Sequence, residues 1–307
     1  MSHLTHPAML PPFDEGLATT GAATPSRVPL ALPVAEYLAD VIAVCEAANG
    51  RIVSLVLFGS AATGGYVGQN SDVDLFLVVR DDVDAAARRH VRDQVAKLEV
   101  THGLAKVRDS RTSTLMGALA AALTAFADRV SANIRAFFIS TRADLLSGDP
   151  ARIFDIPRRQ AHFVDRAAIP SIVASGRTIW GEPLLDRVPL PPIRRMDVAK
   201  AFFGLFNQVL FSAVLYPLLP RATKYAMDAL KRSVHNCYFC HQCRKAPLAS
   251  EVAFFEARYG PDRTLERLVG LRQQYRPSFG FVLSCLATIV RLHRRTALNL
   301  QFPRATR

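Results

Sequence analysis

Two aspartates two positions apart, Asp72 and Asp74, and an upstream glycine-serine pair, Gly59-Ser60, are the residues whose types and spacing could do chemistry. Eleven residues separate Ser60 from Asp72. In an extended segment alternate side chains share a face, so Asp72 and Asp74 converge while Val73 and Leu75 point into a core. Paired hard oxygen ligands at a strand end suit magnesium, which takes one or two carboxylates together with substrate phosphates and water. Gly59 lets the backbone approach a phosphate, N–H groups at the start of a following helix favour negative charge, and Ser60 adds a hydroxyl. Each piece alone is common, because an acid-x-acid pair is usually an exposed strand edge or a turn. Their conjunction, with an apolar run beside each and a turn-rich loop between, gives the pattern its specificity.

The elements that must position these residues can be read from hydrophobic spacing. Ile52–Phe58 and Val73–Val79 are short β-branched and aromatic runs, expected as two buried neighbouring strands. Before them, Val34, Tyr37, Leu38, Val41, Ile42 and Cys45 recur at helical spacing, and Gly50 closes that helix. Helices are expected over Asp81–Val100 and Leu115–Val130, and a third strand over Ile134–Ile139. Pro189-Leu190-Pro191-Pro192 is the clearest breaker, and helical periodicity dominates after it, over 196–217, 222–244, 249–258, 262–274 and 278–299. The expected organisation is a flexible leader over 1–33, which holds six prolines, then an α/β domain at 34–188 with a mixed sheet flanked by helices. An all-helical domain at 189–303 completes it, with substrate bound between the two domains.

At 307 residues, half of them apolar and 21% charged, with a mean hydropathy of +0.14, the chain describes a globular protein and not a disordered one. The net charge of +12 and pI near 10.0 favour phosphates, nucleic acid or anionic lipid as partners. The basic pairs are scattered, as at Arg88-Arg89, Arg158-Arg159 and Arg294-Arg295, which a merely soluble basic protein also shows. Five cysteines, an odd number in segments of helical spacing, argue against a secreted disulfide framework and for a reducing, cytoplasmic location. Ala201–Pro220 runs 20 residues without a charge, the length that spans a bilayer. Asn207, Gln208 and the prolines at its end point instead to a central helix buried on all sides, so a membrane partner is not expected.

Phe58-Gly59-Ser60 and Asp72-Val73-Asp74-Leu75 resemble the signature of the DNA-polymerase-β-like nucleotidyltransferase superfamily: hydrophobic residue, Gly, Gly or Ser, about a dozen residues, then acid-hydrophobic-acid-hydrophobic. The chain is most similar to the small two-domain bacterial and archaeal members, antibiotic nucleotidyltransferases and toxin-type transferases, in which a helical domain follows the catalytic one. The resemblance implies a nucleoside triphosphate substrate, with Gly59 and Ser60 at its phosphates, and two magnesium ions held by Asp72 and Asp74. A nucleoside monophosphate, AMP first, then moves to an acceptor hydroxyl as pyrophosphate leaves. The family usually places a third carboxylate on a later central strand. Here that strand carries Asn133 and Arg135 but no acid, leaving Glu99, Asp109 or Asp128 as candidates, or no third ligand at all. The acceptor is open between a small molecule, RNA and protein, and a catalytically degenerate nucleotide- or RNA-binding protein is the alternative reading.

In similar two-domain transferases a basic residue of the helical domain reaches the triphosphate, and Lys224 and Arg221 are the candidates here. Lys224, Asp228 and Arg232, four residues apart, would otherwise form an ion-pair ladder on a solvated face. Cys237, Cys240 and Cys243 have the spacing of part of a metal site but lack a fourth partner, and on a helix they drift around one side, where buried cysteines are small hydrophobes. His102 and His162 stand at no motif spacing from a nucleophile and are expected in surface or cap roles. Gly176–Gly181 reads as the turn after a closing helix, with Trp180 plugging the core at the domain junction.

Overall fold

The computed structural model describes residues 32–68, 71–104, 137–161, 168–190, 195–218 and 221–299. Its first half is organised by a mixed four-stranded sheet of order β3-β2-β1-β4. Strand β1 (Ile52–Phe58) pairs antiparallel with β2 (Asp74–Val79) and with β4 (Arg177–Gly181), and β2 pairs parallel with β3 (Phe137–Thr141). The apolar runs are continuous because both faces of the sheet are covered. Leu55, Leu57, Leu75, Leu77, Phe137 and Ile139 point into one core with α1 (Leu32–Ala47) and α3 (Ala85–Thr101). Their neighbours Val56, Phe58, Phe76, Val78 and Phe138 enter a second core. There they meet residues of α4 (Arg142–Leu146), α5 (Pro150–Ile153) and α7 (Ala168–Ser175), while α6 (Arg158–Ala161) lies between the last two in sequence.

Between β1 and β2 the chain makes a helix of five residues, α2 (Gly59–Thr63), and a loop. The two sequence-expected strands are therefore direct antiparallel neighbours, in the register Leu57↔Leu75 and Phe58↔Asp74. The third strand runs from Phe137, later than the expected Ile134 start; the helix expected over 115–130 and residues 134–136 lie outside the described residues. Residues 1–31 of the expected leader, with Pro191 and Pro192, also lie outside them.

One expectation is corrected. Gly176–Gly181 is no closing turn: after α7 the chain forms β4, pairing Trp180 with Leu55 and Thr178 with Val56. Without β4 the apolar β1 would be an unpaired edge, and sheet edges of that kind invite misassociation. Trp180 packs half-buried against the core beneath α1 and α3.

The second half is helical, with α8 (Arg195–Val214), α9 (Ala222–Gln242), α10 (Leu248–Tyr259), α11 (Arg263–Gln273) and α12 (Phe279–Asn299). These bounds follow the apolar periodicity closely. The core here runs from Leu205 to Leu292 and shares no residue with the two sheet cores. Helices α8, α9 and α12 pack pairwise as a three-helix bundle. Arg232 of α9 donates to Gln208 of α8, and Asp228 pairs with Lys231 at 3.7 Å. The charges expected as a surface ladder are thus partly spent on packing one helix against another.

Candidate nucleotide and metal site

The local geometry follows from where β1 stops. Phe58 pairs with Asp74, so the first residue after β1, Gly59, lies beside the first residue of β2. Gly59 has φ +69°, a conformation that favours glycine, and a β-carbon there would overlap the Asp74 carboxylate, standing 2.9 Å from its Cγ. The carboxylate of Asp74 therefore occupies the space that any other side chain at position 59 would take. A negative oxygen and a turn backbone able to meet phosphate are held in contact by strand register.

Asp72 is positioned differently from the expectation. It lies before β2 begins, in the connecting segment, so strand alternation does not fix it. The segment is braced by local hydrogen bonds. Gly65 N donates to Ser60 O at 2.9 Å, Thr63 Oγ1 donates to Gly59 O at 3.1 Å, and Val67 N donates to Ser71 Oγ at 2.9 Å. Val73, between the aspartates, is buried and anchors the pair to the sheet core. Asp72 and Asp74 are both half-exposed, as groups that meet a substrate must be.

Among the three third-carboxylate candidates, Asp109 and Asp128 lie outside the described residues. Glu99 of α3 is an electrostatic neighbour of Asp72: burial pushes its carboxyl above the usual range, a hydrogen bond from the Tyr37 hydroxyl at 3.5 Å opposes that, and the charge of Asp72 adds a smaller upward push. Tyr66, on the loop after α2, is raised by burial and by the same aspartate. Among the described residues no three His, Cys, Asp or Glu side chains are grouped to hold a metal ion, so any ion here would rest on two carboxylates plus substrate oxygens and water. Two hard anionic ligands against a phosphate-accessible turn fit magnesium in that mode.

The helical half reaches this loop among the described residues. Pro247, just before α10, closes over Gly65, and Arg272 of α11 donates from Nη2 to Ser71 Oγ at 2.9 Å, one residue from Asp72. Arg272 is a residue that sequence reading missed. It is 7% exposed; burial lowers its pKa, and the charge of Asp228 on α9 opposes that. Arg221 precedes α9 and Lys224 lies in its first turn, one helical turn before Asp228. Both neighbour Tyr275, whose hydroxyl shares a hydrogen bond with the Lys224 backbone.

The remaining sequence candidates fall elsewhere. Cys237 is buried in the helical core, Cys240 is half-buried and Cys243 is exposed, and all five cysteines of the chain are free thiols. His102 caps α3 and meets Asp40 Oδ2 at 2.7 Å. His162 lies outside the described residues. No helix among the described residues is long and apolar enough to cross a membrane.

Comparison with known proteins finds a family similar to the segment that holds the site. Residues 41–111 match the nucleotidyltransferase domain family. No curated protein sequence matches the chain. Among solved structures, the crystal structure of spectinomycin adenyltransferase AAD(9) from Enterococcus faecialis with ATP and spectinomycin is similar over 85% of this chain and 98% of that one, with 12% identity and a TM-score of 0.45. The family match contains the Gly59-Ser60 turn and both aspartates, so the matched segment, 41–111, is similar to a nucleotidyltransferase domain.

Proposed function

We propose that the chain transfers a nucleoside monophosphate, AMP in our reading, from a nucleoside triphosphate to an acceptor hydroxyl, with Asp72 and Asp74 as magnesium ligands. The observation that carries this is the contact of the Asp74 carboxylate with the Gly59 backbone, set by the Phe58↔Asp74 register. A triphosphate cradled by the Gly59-Ser60 turn would have its oxygens beside a carboxylate able to share a metal with them. Bound magnesium would lower the pKa of the attacking hydroxyl and neutralise charge on the leaving pyrophosphate. The acceptor oxygen forms a bond to the α-phosphorus, the bond to pyrophosphate breaks, and the acceptor proton is released.

The chain's own groups supply position and charge. Asp72 and Asp74 would fix the phosphates in register with Ser60. Arg272 braces the Ser71 end of the acidic loop, and Lys224 and Arg221 would neutralise the outer phosphates from α9. We take 34–188 as the catalytic unit and 189–303 as the helical unit, with substrate between Asp72 and the start of α9. Glu99 is the third carboxylate candidate in reach of Asp72's charge.

A second reading, nucleotide binding without transfer, is favoured by one observation: strand β3, beside β2, carries no acidic residue. The experiment that separates the two is label transfer and pyrophosphate release from each of four α-labelled triphosphates with magnesium. Aminoglycosides and related hydroxylated small molecules, total RNA and a protein mixture serve as acceptors. Transfer by the wild type that disappears in Asp72→Ala/Asp74→Ala supports the transferase and reveals base and acceptor class together. Triphosphate binding without transfer by any acceptor would favour the second reading.

A further inference from the structure

The uncharged stretch that raised the membrane question has an unexpected disposition. Helix α8 is not buried on all sides: Leu205, Val209 and Ser212 face the bundle, while Met196, Phe203 and Leu210 are 65%, 61% and 42% exposed. On α12, Leu283, Val290 and Leu298 are 46%, 40% and 73% exposed. With Val214 and Phe279, these two helices carry eight of the eleven exposed large hydrophobic residues among those described. That concentration separates a built face from the scattered apolar exposure any protein shows.

The face has a period. Met196, Lys200, Phe203, Asn207, Leu210 and Val214 are all exposed and stand four, three, four, three and four residues apart. On α12 the exposed series Gly280, Leu283, Ala287, Val290, Arg294 and Ala297 alternates three and four in the same way. Such spacing is the seam that meets another helix by knobs-into-holes packing. The two seams adjoin, because α8 and α12 run antiparallel side by side. Phe202 meets His293 at 5.4 Å between ring centroids, and Tyr216 meets Phe279 at 4.9 Å, both tilted.

We infer that this face is a homodimer interface, in which α8 and α12 of two copies form a four-helix arrangement. Two helices of about 20 residues, each about 30 Å long and about 9 Å apart, present a footprint of roughly 600 Å² before side-chain relief is counted. That approaches the ~800 Å² per partner of a stable interface. Both rows alternate in size: Met196, Phe203 and Leu210 stand on α8, and on α12 Leu283 and Val290 are spaced by Gly280, Ala287 and Ala297. The ring contacts set Leu210 level with residues 283–287 of α12, and Asn207 level with 287–290. A two-fold axis parallel to the helices lays each α8 row along the partner's α12 row, the closed arrangement expected of a dimer. Lys200 and Arg294 share one end of the face, where their long stems can carry the charges to solvent. Their like charge makes the association firmer in higher salt, the opposite of attraction to an anionic membrane.

The test is the mass of the full chain by light scattering or sedimentation equilibrium at about 50 μM, above the micromolar end of affinities for such interfaces. The wild type is expected at twice the 33.7 kDa of one chain, with the dimer fraction rising between low and high salt. Phe203→Glu and, separately, Leu283→Glu are expected to be monomers with unchanged helical circular dichroism. Val214→Lys, at a 68% exposed position, supplies a third variant that leaves the helical core untouched. A wild-type monomer throughout, or a dimer indifferent to all three substitutions, overturns the inference. So does flotation of the wild type with anionic vesicles that salt and the same substitutions abolish, which would assign the face to a lipid surface.

Discussion

Replacing Gly59 with Ala isolates the contact on which the site is built. The new β-carbon meets two costs: a side chain at φ +69°, and overlap with the Asp74 carboxylate, whose Cγ lies 2.9 Å and Cβ 3.2 Å from the added atom. Gly50 provides the control, because it has φ +74° but nothing within 4 Å of an added β-carbon. Gly50→Ala should therefore show the backbone strain alone, about 1–2 kcal/mol. Gly59→Ala adds an overpacking cost of about 1–3 kcal/mol. The corresponding losses in Tm are roughly 2–4 °C for Gly50→Ala and roughly 4–10 °C for Gly59→Ala. Function separates the two further. Relief of the overlap moves the Asp74 carboxylate by about 1 Å, a misplacement worth ~100-fold in rate, while Gly50→Ala leaves transfer unchanged. Thermal melts and initial rates of label transfer measure both quantities. Equal Tm losses in the two variants, with transfer retained in Gly59→Ala, would refute the packing of Asp74 on the turn.

Four further outcomes follow from the same geometry. Glu99→Gln should stabilise the protein at pH 7 and not at pH 4: burial and Asp72 raise the folded carboxyl's pKa, so ionisation above the ordinary value of 4.5 costs stability that the amide does not lose. Burial holds His235, His241 and His293 below their ordinary value of 6.5, and Nε2 of His241 and of His293 is buried without a hydrogen-bond partner. The unfolded chain therefore binds more protons, and stability present above pH 6.5 should fall on acidification by up to about 1.4 kcal/mol per histidine per pH unit, read from melts between pH 7.5 and 5.5. Arg272→Gln should lose about 1.5–3 kcal/mol through its bond to Ser71 and weaken triphosphate binding, whereas Ser71→Ala should reproduce part of the binding loss alone. Thiol titration of the folded protein should find Cys243 fast, with Cys45 and Cys285 silent, since both are buried, burial pushes Cys45 up to about 12 and it also raises Cys285.

Much of this was legible in the sequence because local chemistry and global packing agree. The runs ending at Phe58 and Val79 could be read as neighbouring strands since their composition suits burial on both faces, and the spacing of Gly59 and Asp74 left room for only a short connection. The later helices announced themselves by period. What could not be read depended on contacts between distant segments. Arg272 meets Ser71 across 201 residues and belongs to no motif, so its type alone gave no reason to select it among many basic residues. Glu99 was one of three acids the sequence offered, and its place beside Asp72 depends on the approach of α3 across the fold. β4 was mistaken for a turn because Gly176 and Gly181 frame a five-residue strand, and the unpaired edge of β1 that recruits it is invisible locally. The apolar stretch in α8 fixed a helix, but which side of it faces the bundle is decided by α9 and α12.

The most direct measurement of the central claim is the dependence of triphosphate affinity on divalent metal, by calorimetry with a non-transferable ATP analogue and magnesium or manganese. The wild type is compared with Asp72→Asn and Asp74→Asn. The account predicts that metal tightens nucleotide binding in the wild type, and that each substitution removes that tightening while the fold persists. Nucleotide binding indifferent to metal and to both aspartates would contradict it and place the phosphates elsewhere.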